Sequence, residues 1–113
     1  MDKRVETVIT SIKNDLHRVP SLRKMARSVN LSTSRFYYLF TADIKMPPAR
    51  YLRLLRMQAA KELLETTFLS IKEIVALVGF NDESHFVRNF KKLYGVTPTE
   101  HRAQVRTSSN HRD

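Results

Sequence analysis

The chain has 113 residues, 42% of them hydrophobic, and no cysteine. That length suits one domain, or two very small ones sharing a helix. It argues against a large enzyme with a deep cleft, and the missing cysteines exclude a disulfide framework, a thiolate zinc site and a thiol nucleophile. Twenty Lys and Arg against eleven Asp and Glu give a formal net charge of +9, which points to nucleic acid, an acidic protein or an anionic membrane surface as partner.

The apolar spacing predicts helices nearly throughout. Val5, Val8, Ile9, Ile12 and Leu16 share one face of a first helix, which Pro20 ends. Ser21 caps a short second helix with Leu22, Met25, Ala26 and Val29 inward, and Asn30-Leu31-Ser32 suits a turn or cap. A third helix carries Phe36, Leu39, Phe40 and Ile44 inward and breaks at Lys45-Met46-Pro47-Pro48. Pro48 opens a fourth helix of about 18 residues, or about 27 Å at 1.5 Å per residue. Its apolar stripe is Tyr51, Leu52, Leu55, Ala59, Leu63 and Leu64, with Arg50, Arg53, Arg56 and Lys61 around it.

Ser70 caps a fifth helix, with Glu73 at the capping-box position and Ile71, Ile74, Val75 and Val78 inward. Gly79 ends it in the left-handed region. Asn81 or Asp82 caps a sixth helix holding Phe86, Phe90, Leu93 and Tyr94, and Gly95 ends that one. Pro98 opens a short seventh helix towards Arg102. From Thr107 the tail is polar and expected to be disordered.

Two segments repeat each other. Ser21-Leu22, Met25, Ala26, Val29 and Leu31 match Ser70-Ile71, Ile74, Val75, Val78 and Phe80 at an offset of 49. After the turn, Ser34, Phe36, Phe40 and Pro48 match Ser84, Phe86, Phe90 and Pro98 at an offset of 50. The unit is a short helix, a tight turn and a longer helix, which is a helix-turn-helix candidate. Ala26 and Val75 suit the helix crossing, and Asn30 and Gly79 suit a turn residue with positive φ. With the phenylalanines inward, Ser34, Tyr37, Tyr38 and Thr41 share the opposite face of the third helix. Ser84, Val87, Arg88 and Lys91 do so on the sixth, with Glu83 and His85 at its start. A linker of about 27 Å plus its turns could hold two recognition helices near the 34 Å between successive major-groove faces.

The run Ser70-Ile71-Lys72-Glu73-Ile74-Val75, then Val78-Gly79-Phe80-Asn81-Asp82-Glu83-Ser84-His85-Phe86, Arg88-Asn89-Phe90-Lys91-Lys92, Gly95-Val96-Thr97-Pro98 and Arg102 resembles the signature of the AraC/XylS family of bacterial transcription regulators. The first half is similar in Leu22, Met25-Ala26, Leu31-Ser32, Phe36, Leu39-Phe40, Tyr51-Leu52 and Arg56, so the resemblance covers roughly Asp2 to Arg106. Lys45 stands where the family often has glycine, and Val75 where it often has alanine. Tyr37 and Tyr38 stand where it often places hydrogen-bonding base readers.

The resemblance implies an all-α, homeodomain-like fold of seven helices. An N-terminal helix-turn-helix subdomain (1–47) and a C-terminal one (67–106) flank a linker helix (48–66), with a tail at 107–113. It implies sequence-specific binding of double-stranded DNA in adjacent major grooves. Carried over by position, the base readers are Ser34, Tyr37 and Tyr38, then Glu83, Ser84, His85, Val87 and Arg88. The last can grip guanine O6 and N7. Phosphate contacts fall to Ser32, Thr33, Arg35, Lys45, Asn81, Lys91 and Lys92. The resemblance also implies RNA polymerase as a partner, a role such as activation, and a cytoplasmic, nucleoid-associated place in a bacterium.

Other classes fit less well. The apolar runs fall short of the roughly 20 residues of a membrane span, and the start lacks a signal-peptide core. Two glycines, Gly79 and Gly95, cannot build a phosphate loop. His17, His85, His101 and His111 have no metal-ligand spacing, so neither metal nor cofactor is expected. Asp82, Ser84 and His85 are neighbours at a helix start and cannot assemble a triad, so no enzyme activity is expected. Arg53, Arg56 and Lys61 could be a solvated face paired with Glu62 and Glu65, and Tyr37 and Tyr38 could pack on the linker or face DNA. A basic adaptor for an acidic protein or membrane surface is the alternative, but it needs one continuous charged face rather than two matched units. A monomer is expected, with dimerisation only through a further domain. Whether the chain stands alone or is the C-terminal part of a longer regulator is open.

Overall fold

The computed structural model describes residues 1–110. Residues 111–113, which hold His111 and the end of the expected tail, lie outside the described residues. Among the described residues there are seven helices and no strand. They are α1 (Lys3–Asn14), α2 (Leu22–Ser28), α3 (Thr33–Ile44), α4 (Pro48–Thr66), α5 (Ile71–Val78), α6 (Glu83–Tyr94) and α7 (Pro98–Asn110). The chain divides into two compact units, Met1–Leu55 and from Arg56 onward.

Short polar side chains set the helix starts by accepting first-turn amides that have no intrahelical acceptor. Asp2 accepts from Arg4 N at 2.8 Å, Ser21 from Lys24 N at 3.2 Å and Ser32 from Arg35 N at 3.1 Å. Ser70 accepts from Glu73 N while Glu73 accepts from Ser70 N, completing the expected box. At α6 the cap is Asp82, whose Oδ1 accepts from His85 N at 3.1 Å, and not Asn81. A second reciprocal pair opens α7: Thr97 N donates to Glu100 and Glu100 N donates to Thr97 Oγ1. Such amide donation holds the Glu73 and Glu100 carboxyls below the usual range. At Asp2 the Arg4 guanidinium and then the Arg4 amide lower the carboxyl to about 2.

In the first unit Val5, Val8, Ile9 and Ile12 of α1 close over Met25, Ala26, Phe36 and Phe40, with Tyr51, Leu52 and Leu55 of α4 against them. Phe36 and Phe40 are wholly buried, each stabilising the unit by about 1.5–3 kcal/mol. Their rings lie 5.8 Å apart, and Tyr51 meets Phe40 edge-on at 5.7 Å.

The second unit repeats this plan. Met57, Ala60 and Leu64 of α4 pack with Ile74, Val75, Val78, Phe86 and Phe90. The expected α4 stripe omitted Met57 and Ala60, which are its deepest residues together with Leu64. α4 serves two cores in turn, with Tyr51, Leu52 and Leu55 packing in the first unit and Met57, Ala60 and Leu64 in the second. Leu93 corrects a second expectation, since it is 48% exposed. At about 100° per residue, a buried face centred on Phe90 and Tyr94 puts Leu93 on its outer edge and draws Val87 onto its inner edge.

Arg102 of α7 donates from Nε to Leu64 O (3.1 Å) and from Nη2 to Thr67 O (3.2 Å), satisfying carbonyls that the end of α4 leaves open. His101 Nε2 lies 2.7 Å from Glu65 Oε2. The expected tail from Thr107 begins too early. Nothing between Arg106 and Asn110 breaks a helix, and α7 runs to Asn110 with Thr107 Oγ1 donating to Ala103 O at 2.9 Å.

Candidate nucleic-acid interface

Both units build the same turn from the backbone. Leu31 N donates to Ala26 O at 2.9 Å, and Phe80 N donates to Val75 O at 3.0 Å. The residue before each donor takes positive φ, +60° at Asn30 and +94° at Gly79, as the turn requires. Lys45 and Gly95 end α3 and α6 in the same way, at +69° and +83°. Glycine fits that geometry without a Cβ penalty, so the lysine carries a strain that its counterpart lacks.

In the first unit Ser32 is spent as the cap of α3, which leaves the amides of Thr33 and Ser34 as first-turn donors. Thr33, Ser34, Arg35, Tyr37 and Tyr38 are all exposed, and so is Lys45. Tyr38 is 64% exposed and Tyr37 43%, so neither is packed away. The Arg35 guanidinium lies 5.9 Å from the centroid of the Tyr38 ring, within stacking range. Thr41 does not share the outward face as expected. Its hydroxyl is buried with no hydrogen-bond partner.

In the second unit Asn81, Glu83, Ser84, His85, Arg88, Lys91 and Lys92 are exposed. Ser84 and Arg88 lie one turn apart on one face of α6. Val87, expected to face away from the core, is half-buried and packs against it. Asp82 and Glu83 put two carboxylates at the start of α6, so this N-terminus suits a phosphate less than that of α3. Asn89 was missed: its Nδ2 lies 3.3 Å from His85 Nδ1 and 3.4 Å from Nε2, so it restrains the ring. The i, i+4 spacing of His85 and Asn89 was the available signal.

The remaining cations divide by environment. Lys61 pairs with Glu65 at 3.9 Å and lies 5.2 Å from the Tyr94 ring centroid. Arg56 is half-buried beside Gly79, and burial lowers its pKa. Arg50 and Arg53 are exposed. Among the described residues no three His, Asp or Glu side chains gather as metal ligands, and no helix is long and apolar enough to cross a membrane.

A family model described as a helix-turn-helix domain matches residues 25–104. A solved transcriptional regulator from Chromobacterium violaceum, described as having an AraC-type DNA-binding domain, superposes with a TM-score of 0.84 at 26% identity, over 91% of this chain and 92% of that one. The chain belongs to the AraC-type helix-turn-helix family. That family is a DNA-binding domain of transcription regulators rather than an enzyme class. An uncharacterized HTH-type transcriptional regulator of Haemophilus influenzae is 32% identical over 108 residues, 92% of this chain and 35% of that protein. The chain spans about a third of the length of the curated relatives it matches. The DNA-binding domain of AdpA, solved in complex with a target DNA, shares the fold at a TM-score of 0.87 and 24% identity, over 93% of this chain and 95% of that one.

Proposed function

We infer that the chain binds double-stranded DNA sequence-specifically, as the DNA-reading part of a transcription regulator. The observation that carries this is the repeat: two capped helices, each with a wholly buried phenylalanine pair on one side and an exposed polar face on the other, in a chain of net charge +9. Each unit offers one recognition helix, α3 or α6, and the two lie in adjacent major grooves of one duplex. Ser34, Tyr37 and Tyr38 read bases from α3. Glu83, Ser84, His85 and Arg88 read them from α6, where Arg88 forks onto a guanine and Val87 supports the helix from its core edge. Thr33, Arg35, Lys45, Lys91 and Lys92 meet phosphates, helped by the first-turn amides of α3.

In isolation the domain binds as a monomer, dimerising only through a further domain, and RNA polymerase is its protein partner at promoters in the bacterial cytoplasm. An adaptor for an acidic protein would not need two matched outward faces on capped helices.

Selection of bound duplexes from a random pool at physiological salt tests this reading. Two short elements centred about 10–11 base pairs apart are expected. With about 6–8 phosphates neutralised, log K should fall against log salt with a slope of about −5 to −7. Arg88→Ala should cost about 1–3 kcal/mol and relax one base position. Binding without enrichment of any sequence would reduce the chain to a charge-driven binder.

A further inference from the structure

The two outward faces differ in chemistry, and the difference names what one of them reads. This rests on the DNA-reading assignment above. By the repeat, Tyr38 stands where α6 has Arg88, and Tyr37 where it has Val87. The face of α3 therefore has two exposed aromatic rings in place of a guanidinium. Its one cation, Arg35, has its guanidinium within stacking distance of the Tyr38 ring. No Asn, Gln or second Arg stands on α3 to make a bidentate contact with a base edge. A phenol offers one hydroxyl, which cannot fork onto a purine, but it offers a broad apolar ring. The one apolar group that bases present in the major groove is the thymine C5 methyl.

We propose that α3 reads thymine methyl groups, with the rings of Tyr37 and Tyr38 packed on them, while α6 reads guanine through Arg88. The element bound by the first unit is then defined by thymines and the one bound by the second by guanine. Arg35, held at the Tyr38 ring, braces that ring and meets the phosphate alongside. The rings, not the hydroxyls, carry the reading.

The first arm of the test alters only the DNA, so that arm does not depend on how a variant folds. Duplexes selected by the full chain are remade with deoxyuridine for thymine, one position at a time, and with 7-deazaguanine for guanine. Affinity is measured by titration at fixed salt. Loss of one packed methyl should weaken binding about fourfold at one or two thymines of one element only. Tyr37→Ala or Tyr38→Ala should abolish that sensitivity, whereas Tyr37→Phe and Tyr38→Phe should bind within about twofold of the parent and keep it. The 7-deazaguanine effect should fall in the other element and vanish in Arg88→Ala.

The proposal is overturned if no thymine responds to loss of its methyl, if the response survives both alanine variants, or if the phenylalanine variants bind as weakly as the alanine ones. A selected element that responds to 7-deazaguanine and to no deoxyuridine overturns the methyl reading and leaves the DNA-reading assignment standing. Failure to select any sequence overturns both.

Discussion

Gly79 and Gly95 share a backbone conformation and differ in surroundings, which lets one measurement separate two costs. Their φ angles are +94° and +83°. A Cβ on Gly95 would meet nothing within 4 Å, whereas one on Gly79 would lie 2.9–3.0 Å from the Arg56 guanidinium. Gly95→Ala should therefore show the left-handed backbone cost alone, about 1 kcal/mol. Gly79→Ala must also push the guanidinium off its seat, which forces the Arg56 side chain from its rotamer for about 0.5–1.5 kcal/mol more. Its total is then about 1.5–2.5 kcal/mol. Both sites lie in the second unit, so the same unfolding transition reports them. Urea unfolding followed by far-ultraviolet circular dichroism measures both, and an Arg56→Ala background closes the cycle. In that background the two glycine substitutions should cost the same. Equal costs in the parent chain, or an excess at Gly79 that persists without Arg56, would refute the reasoning. Lys45→Gly is the mirror change in the first unit, and should raise stability by about 0.5–1 kcal/mol by relieving the positive φ.

Three further outcomes follow from side-chain partners. Arg102→Ala removes two hydrogen bonds to the end of α4 and should destabilise the second unit by about 1–3 kcal/mol. Arg102→Lys should restore only part of that, lacking the fork, and an unchanged melting temperature would mean that water replaces the cap. Thr41→Val deletes a buried hydroxyl with no partner at nearly constant shape, so the unfolding free energy should rise by about 1 kcal/mol, and a fall would show a hidden partner. Acid should weaken the fold through its helix starts. The Asp2, Glu73 and Glu100 carboxyls have folded pKa values below their unfolded ones. Their contribution is complete above the unfolded values and disappears as pH falls through the folded ones, the last near pH 2 for Asp2. A melting temperature unchanged between pH 6 and pH 2.5 would contradict this.

Most of the fold was legible because its signals are local. Ser21 and Ser70 announce helices, Gly79 and Gly95 end them, and the phenylalanines at a spacing of four define what turns inward. Misreadings arose where tertiary packing decides. Met57 and Ala60 fall outside a single apolar stripe because α4 serves two cores. Val87 and Leu93 exchanged sides because the buried face of α6 centres on Phe90 and Tyr94, a choice made by the partners of those rings. The Thr97–Glu100 pair has capping-box spacing, beside Pro98, which by itself marks a helix start. In the candidate site, the helical wheel turns Tyr37 and Tyr38 away from the phenylalanines, but only the packed structure shows that they stay exposed rather than lying on the linker.

The distribution of the four tyrosines has an optical consequence. The chain has no tryptophan, so tyrosine dominates its near-ultraviolet absorption and emission. Tyr51 is set edge-on to Phe40 in the first unit, and Tyr94 lies 4.7 Å from Phe90 in the second. Tyr37 and Tyr38 stand on the surface of α3. The unlabelled molecule thus carries one packing reporter in each unit and a separate pair at the surface assigned to DNA. Near-ultraviolet dichroism of the DNA-free chain should follow the melting of the cores, while tyrosine emission should respond to occupancy of α3, so that two separate spectra report folding and binding.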